Sequence, residues 1–389
     1  MLANHSTMPG KAHFPKTLLV LACATLALSA CGGGEGGGSG ASAAAPAGAS
    51  NNAANAGAAA ATAAASTSQA VPATAVTACF TVTGNAAPAT STSDVSVLPV
   101  RGAAAVTNYR VLGEPKAAGL CYANFRRVQV GLPALEAQDA IGVAAQNHSN
   151  YMLWNKTLGH DENSAARGFT GTSPNVRVQA LYPTGATAEV VGGATKWSSD
   201  PNAVLTLSSN DALVSDLFDA PLHRATLLGS YKSAGAGYAE EKGTGSGGAT
   251  ASFYQTVDLA DATMPGTSTQ MVAYPYAGQA DVPTSWVNNE SPNPAPGYQN
   301  QTLGYPITLQ AIDRSQTFNA DTFVLTDAQG NNINCLKVDA RSADLSGAAA
   351  GAAVCTPLAP LAAASRYNVT VSGQLAGKPL NLNWSFTTK

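Results

Sequence analysis

The sequence predicts an α+β chain, with a first folded unit that mixes helices with a sheet and a smaller all-β unit after it. Three observations carry this. Apolar residues recur at helical spacing between residues 118 and 153, and the period shortens to strand alternation after residue 234. A polar stretch containing Pro and Gly, from Asp261 to Thr269, then precedes a run of short strands only.

The elements follow in chain order. Lys11 and Lys16 lead into an apolar stretch from Thr17 to Leu28, which runs into Leu28-Ser29-Ala30-Cys31. A short basic start, an apolar run too short to span a bilayer and a small-residue cleavage site predict a secretory signal peptide over residues 1–30. The cysteine that ends it resembles the bacterial lipobox, which implies cleavage before Cys31 and acylation of its thiol. Two or three acyl chains hold a membrane far more tightly than one, at about 0.8 kcal/mol per buried CH2. Gly32 follows, and the lack of Asp there resembles lipoproteins sent to the outer membrane.

Removing residues 1–30 leaves 359, enough for two ordinary domains plus unstructured sequence. The signal holds two of the 20 basic residues and none of the 23 acidic ones, so the remainder carries 18 against 23. A mildly acidic chain with scattered Lys and Arg has no electrostatic footprint for nucleic acid, and that partner class is set aside. No other segment is long and apolar enough to span a bilayer, which leaves acylated Cys31 as the expected membrane attachment. Cys23 leaves with the signal, so Cys79, Cys121, Cys335 and Cys355 remain. An even number in an exported chain reads as two disulfides, and four cysteines allow three pairings. Proximity and the domain split favour Cys79–Cys121 and Cys335–Cys355.

From Gly32 to about Ala70 the chain is almost wholly Gly, Ala, Ser, Asn and Thr, without the large apolar residues that offset ordering entropy. A lipidated tether over residues 31–78 is expected, its low-complexity part spanning roughly 35 Å as a flexible chain. An N-terminal arm, 79–114, follows. The helix patterns are Ala118–Val130, Gln138–Leu153 and Asp211–Phe218, the last ended by Asp219-Ala220-Pro221. Ala234–Ala239 and Ser252–Leu259 read as strands joined by the Gly-rich loop Gly243–Gly248. Residues 115–262 thus form one domain. In the second, 274–389, Ile307, Leu309 and Ala311 alternate with polar or small neighbours. Phe323 and Leu325 do the same, then Tyr367, Val369 and Val371, then Trp384 and Phe386, the pattern of a β-sandwich.

Three histidines survive processing. His148 lies on the apolar stripe of its helix and reads as a packed side chain with one or two hydrogen bonds. His160, after Leu158-Gly159, and His223, in Pro221-Leu222-His223-Arg224, sit at element boundaries where sites tend to be built.

The motifs around them are recognisable: Asn124-x-x-Arg127, Gly131-Leu132-Pro133-Ala134-Leu135, Ala145-x-x-His148-Ser149-x-Tyr151-Met152 and Leu158-Gly159-His160. Gly168-Phe169-Thr170-Gly171, Pro174-x-x-Arg177, Ala188-Glu189-Val190, Pro221-Leu222-His223-Arg224-x-x-Leu227-Leu228 and Gly235-Ala236-Gly237-Tyr238 follow. In order and spacing, residues 115–260 resemble a bacterial CAP domain, of the superfamily of cysteine-rich secretory proteins, venom antigens and plant pathogenesis-related proteins. From Tyr274 on, ending in Tyr367-Asn368-Val369-Thr370-Val371 and Trp384-Ser385-Phe386-Thr387-Thr388, the chain looks like a bacterial Ig-like module. The resemblance implies a CAP-type α-β-α sandwich followed by an Ig-like β-sandwich that serves as spacer or adhesive contact.

It also implies a central cleft lined by two histidines and two acids. His160 and His223 match the histidines and Glu189 one acid, although its neighbours are Ala188 and Val190 in place of the usual Gly and Asn. The second acid has no clear match. Asp211, Asp216 and Asp219 precede His223, and Asp161 and Glu162 adjoin His160. Two imidazoles and a carboxylate could hold zinc or another divalent metal with a position open to water. There is no Gly-x-Ser-x-Gly elbow and no His-Glu-x-x-His helix. Two functions fit these residues. The first is an extracytoplasmic, lipid-anchored, non-catalytic binder of a small lipid or cell-envelope ligand in the His160/Glu189/His223 cleft. The alternative is a metal-dependent extracellular hydrolase with Glu189 as general base.

Overall fold

The computed structural model describes residues 71, 74–86, 94–245, 247–342, 345 and 347–389. The signal peptide, Cys31 and the tether to residue 70 lie outside the described residues. Among the described residues no helix is long and apolar enough to cross a membrane.

The arm is tied into the body at several points. Cys79 is bonded to Cys121, and the Asn124 amide donates to the carbonyls of Val76 and Leu135 at 2.9 and 3.1 Å. Strand β1 (Thr81–Val82) comes first, then β2 (Ser96–Val97), the one-turn helix α1 (Gly102–Ala105) and β3 (Val106–Thr107), which pairs back onto β1.

The α+β domain opens with α2 (Pro115–Gln129). Pro115 takes the first helical position, where a missing N–H costs nothing, and Arg126 and Arg127 occupy the last turn, where cations suit the helix dipole. Gly131 stops it at φ +91°, and a Cβ there would come within 2.3 Å of the Pro99 carbonyl. Next are β4 (Glu136–Ala137), α3 (Asp139–Asn155), which Lys156 ends in the left-handed region, and α4 (Pro174–Gln179). After β5 (Thr187–Ser198) come α5 (Ala212–Asp219), α6 (Pro221–Leu227), β6 (Tyr231–Gly245) and β7 (Gly248–Ala262). The expected strands at 234–239 and 252–259 are the centres of β6 and β7. The expected Gly-rich loop is largely paired, with Gly245 opposite Gly248.

The sheet order is β4-β6-β7-β5, and strand alternation sorts its two faces. Val190 and Val257 share a core with Val214, Leu217 and Phe218 of α5, whereas Val191 and Tyr254 pack with Tyr151 and Met152 of α3. Helices α3 and α4 therefore cover one face, and α2, α5 and α6 the other. Gly235 and Gly237 of β6 let α3 approach closely, since a Cβ at Gly235 would lie 2.1 Å from the Gly142 nitrogen.

The C-terminal module is all β. It runs β8 (Gln270–Tyr274), β9 (Ser285–Val287), β10 (Thr302–Gly304), β11 (Ile307–Ala311), β12 (Phe318–Asp327), β13 (Asn332–Ile333) and β14 (Cys335–Asp339). It ends with β15 (Ala352–Pro357), β16 (Arg366–Leu375) and β17 (Lys378–Thr387). A five-stranded sheet, β14-β15-β11-β8-β2, packs on a four-stranded one, β13-β12-β16-β17. The Cys335–Cys355 bridge joins β14 to β15, so both expected disulfides are present. Strand β2 comes from the arm, pairing parallel to β8, so the first strand of the module precedes the domain before it.

The two parts are packed against each other. One hydrophobic core runs through both, from Leu120 and Phe218 to Tyr274, Ile307 and Phe386. The buried Arg224 guanidinium lies 4.8 Å from the ring centroids of both Tyr274 and Tyr305 and donates to the carbonyls of Phe218, Asp219 and Pro306. Gln310 donates to the carbonyls of Ala225 and Leu228. A charged side chain this deep is tolerable only with acceptors around it, and here they come from both parts.

Candidate functional site

Six polar side chains converge on the α3–α4 face of the sheet. Helix α3 supplies His148, the loop after it supplies His160 and Glu162, and α4 supplies Arg177. Strand β5 supplies Glu189 and β7 Asp258, directly opposite each other in the register and hence on the same face. All six are buried.

Glu189 is held at both oxygens. His160 Nδ1 lies 2.7 Å from Oε1 and Arg177 Nη2 donates to Oε2 at 2.7 Å, with His148 Nε2 3.8 Å from Oε1. Burial alone would raise its pKa, but His148, the His160 hydrogen bond and the Arg177 charge outweigh that and hold it well below the usual carboxylate range. Glu162 anchors the loop. Its Oε1 lies 2.8 Å from His148 Nδ1, and its Oε2 accepts the Thr170 N–H at 2.6 Å. His148 Nε2 donates to the Gly159 carbonyl at 2.8 Å, which fixes the turn that presents His160.

Asp258 is fully buried, and among the described residues no donor reaches either of its oxygens. Burial, and next the Glu189 carboxylate beside it, push its carboxyl well above the ordinary range.

His223 is elsewhere. It lies on α6, on the opposite face of the sheet from Glu189. Its Nδ1 is 2.7 Å from Glu290 Oε1, and that same oxygen accepts the backbone N–H groups of Leu222 and His223, each at 2.8 Å. The expectation that His160, Glu189 and His223 line one cleft, and that the three ligate one metal, is therefore corrected. The structure brings His160 and Glu189 together, and strand alternation puts the sheet between them and His223. Nor does the remaining donor set fit a divalent cation: Glu189 is already neutralised by Arg177 at contact distance, and His160 spends Nδ1 on that same carboxylate. Among the described residues no group of three or more His, Cys, Asp or Glu side chains is arranged to hold a metal ion.

Of the residues that complete the network, Arg177 ends the Pro174-x-x-Arg177 motif and Glu162 lies two residues after His160, signals that mark both positions but assign neither a partner. Asp258 carried a usable signal, an acid on the inward phase of an alternating strand. Glu290 had none, because its partner is 67 residues away in the other part of the chain.

A three-layer α-β-α domain closed over a buried His–Glu–Arg network defines a class, and sequence comparison agrees on which. The model of the cysteine-rich secretory protein family (CAP) matches residues 106–259, so the chain contains a CAP domain there. No curated protein matches the chain. A crystal structure of an extracellular protein containing an SCP domain from Bacillus anthracis aligns at 17% identity with a TM-score of 0.27. That alignment covers 38% of this chain and 40% of that one, about two fifths of each.

Proposed function

We propose that the protein is an extracytoplasmic lipoprotein, acylated at Cys31 and held on the bacterial outer membrane. In this reading its CAP domain and its C-terminal, Ig-like module form one rigid, non-catalytic body that binds a small lipid or cell-envelope ligand. One observation favours a binder over a hydrolase: both oxygens of Glu189 are occupied, one by His160 and one by Arg177. A general base needs a pKa near the working pH, and a carboxylate held well below its ordinary range by the imidazole and guanidinium that contact it is too weak a base for that role.

Two measurements test the reading on the full chain. The intact mass of detergent-extracted protein is expected to show the acyl additions, lost in Cys31→Ser. Peptide and envelope-polymer substrates are expected to survive incubation with the parent protein, with or without added zinc. Turnover that disappears in Glu189→Gln and His160→Ala would establish the hydrolase instead.

A further inference from the structure

A groove of about 420 Å³ opens where three parts of the chain meet: the arm at Val106–Tyr109, α2 at Phe125 and Gln129, and the C-terminal module at Ala280–Asp281. Its size falls in the roughly 300–1,000 Å³ range of small-molecule sites, which favour such domain junctions. The second hollow, beneath α3 around Gln138 and Gly235, is only about 30 Å³ and holds little more than a water.

The groove has a fixed aromatic wall. The Tyr109 ring is stacked on Phe125 with centroids 4.6 Å apart, Tyr122 meets Tyr109 edge-on, and the Tyr109 hydroxyl is bonded to Asp211. Behind the rings, Arg126 lies over Phe125 at 5.2 Å and reaches Asp281 at 3.4 Å. Positive and negative charge thus cancel locally. The rim is polar and short-chained, with Thr107, Asn108 and Asp281; the Asp281 side chain is 54% exposed. Asn108 sits at φ +56°, where Asn is among the few residues at ease, turning the chain at the groove edge.

A rigid ring face beside charge-balanced, water-facing hydrogen-bonding groups suits a ligand with the same two-sidedness. A pyranose ring has it: an apolar C–H face and a belt of hydroxyls. An acyl chain would need an enclosed apolar channel, and a charged peptide an unbalanced charge. We propose that this groove binds the sugar rings of a glycan, stacking one on the half-buried Tyr109 ring, which buried Phe125 backs, and bonding its hydroxyls to Asp281 and Asn108. The proposal rests on the reading of the protein as a binder and supplies its ligand class. It also gives the docked C-terminal module a purpose, since Asp281 is part of the wall.

The test is titration of the full-length protein in detergent with a β-1,4-linked N-acetylglucosamine tetrasaccharide and, separately, the corresponding glucose tetrasaccharide, followed by tyrosine fluorescence and calorimetry. Saturable binding to at least one is expected, weakened tenfold or more by Asp281→Ala and by Tyr109→Leu but kept by Tyr109→Phe, which retains the ring. Unchanged unfolding midpoints for Asp281→Ala and Asn108→Gly, both at exposed positions, separate lost contact from lost fold. Absence of binding by both sugars up to about 10 mM, where the free energy falls below roughly 3 kcal/mol, overturns the groove assignment. So does binding that none of these variants alters. Sugar turnover, in contrast, would overturn the binder reading itself, so the two failures are distinguishable.

Discussion

Glu290 of the C-terminal module and His223 of the CAP domain are joined at 2.7 Å, and the carboxylate oxygen that makes this contact also accepts the first two N–H groups of α6. Glu290 is 1% exposed, so water cannot stand in for it. Glu290→Ala would leave three donors inside the protein without an acceptor, an expected loss of about 2–4 kcal/mol. Urea unfolding followed by both tryptophan fluorescence and far-UV circular dichroism is expected to stay a single coincident transition in the parent, because one core spans both parts. Two separated parent transitions would show that the parts fold independently.

Arg177 is fully buried against Glu189. Arg177→Met keeps much of the volume but removes the countercharge, and breaking a buried pair from one side costs about 3–5 kcal/mol. The chemical-denaturation midpoint reads the loss. A variant as stable as its parent would mean that His148 and His160 alone carry the carboxylate.

The Glu189–Asp258 pair gives stability two opposite pH dependences. Glu189 has a depressed folded pKa, so its contribution is present above the unfolded value of about 4.3 and is lost as pH falls through the folded one. Asp258 has a raised folded pKa, so its contribution is present below about 3.9 and is lost as pH rises through the folded value. Asp258→Asn holds that position neutral. Its thermal midpoint is expected to gain steadily on the parent's as pH is raised above about 4. A parent that gains on the variant instead would show Asp258 to be ionised in the folded protein.

At Gly235 a methyl group would come within 2.1 Å of the Gly142 nitrogen and 2.4 Å of the Ile141 carbonyl carbon. Both contacts are backbone, so relief requires α3 to lift from the sheet. Gly235→Ala is expected to cost about 1–3 kcal/mol or more by urea titration, against little change for Gly245→Ala, which has nothing within 4 Å.

The Cys79–Cys121 bridge closes a loop with a sequence separation of 42 residues, worth about 4 kcal/mol on the chain-entropy model, against about 3 for the separation of 20 at Cys335–Cys355. Replacing the first pair by serine is expected to lower the midpoint more and to expose the arm to limited proteolysis near residue 80. Equal losses for the two pairs would point to strain or denatured-state structure in place of loop entropy.

Local patterning made the helices legible. Ala118–Val130 and Gln138–Leu153 agree with α2 and α3 to within three residues at each end, because an amphipathic face repeats every turn. Strand β5 is not legible in the sequence, since its small residues, Gly192, Gly193 and Ala194 among them, give no alternation, and its pairing partner lies far downstream, with Gly192 opposite Gln255. The His160–Glu189 contact was legible through motif order. The place of His223 was not, because which face of the sheet α6 covers is settled by packing against residues of the other module.

The chain's own order of residues determined its helices, the alternating strands of its second part, its cysteine inventory and the small residues that admit α3 to the sheet. All of these act over a few neighbours, where backbone geometry and side-chain size are enough. Tertiary structure alone decided that Asp258 faces Glu189, that Glu290 takes His223, that a strand of the arm joins the C-terminal sheet, and that a groove opens between them. Those outcomes depend on which buried polar groups find partners when distant segments pack together, and no local pattern records that.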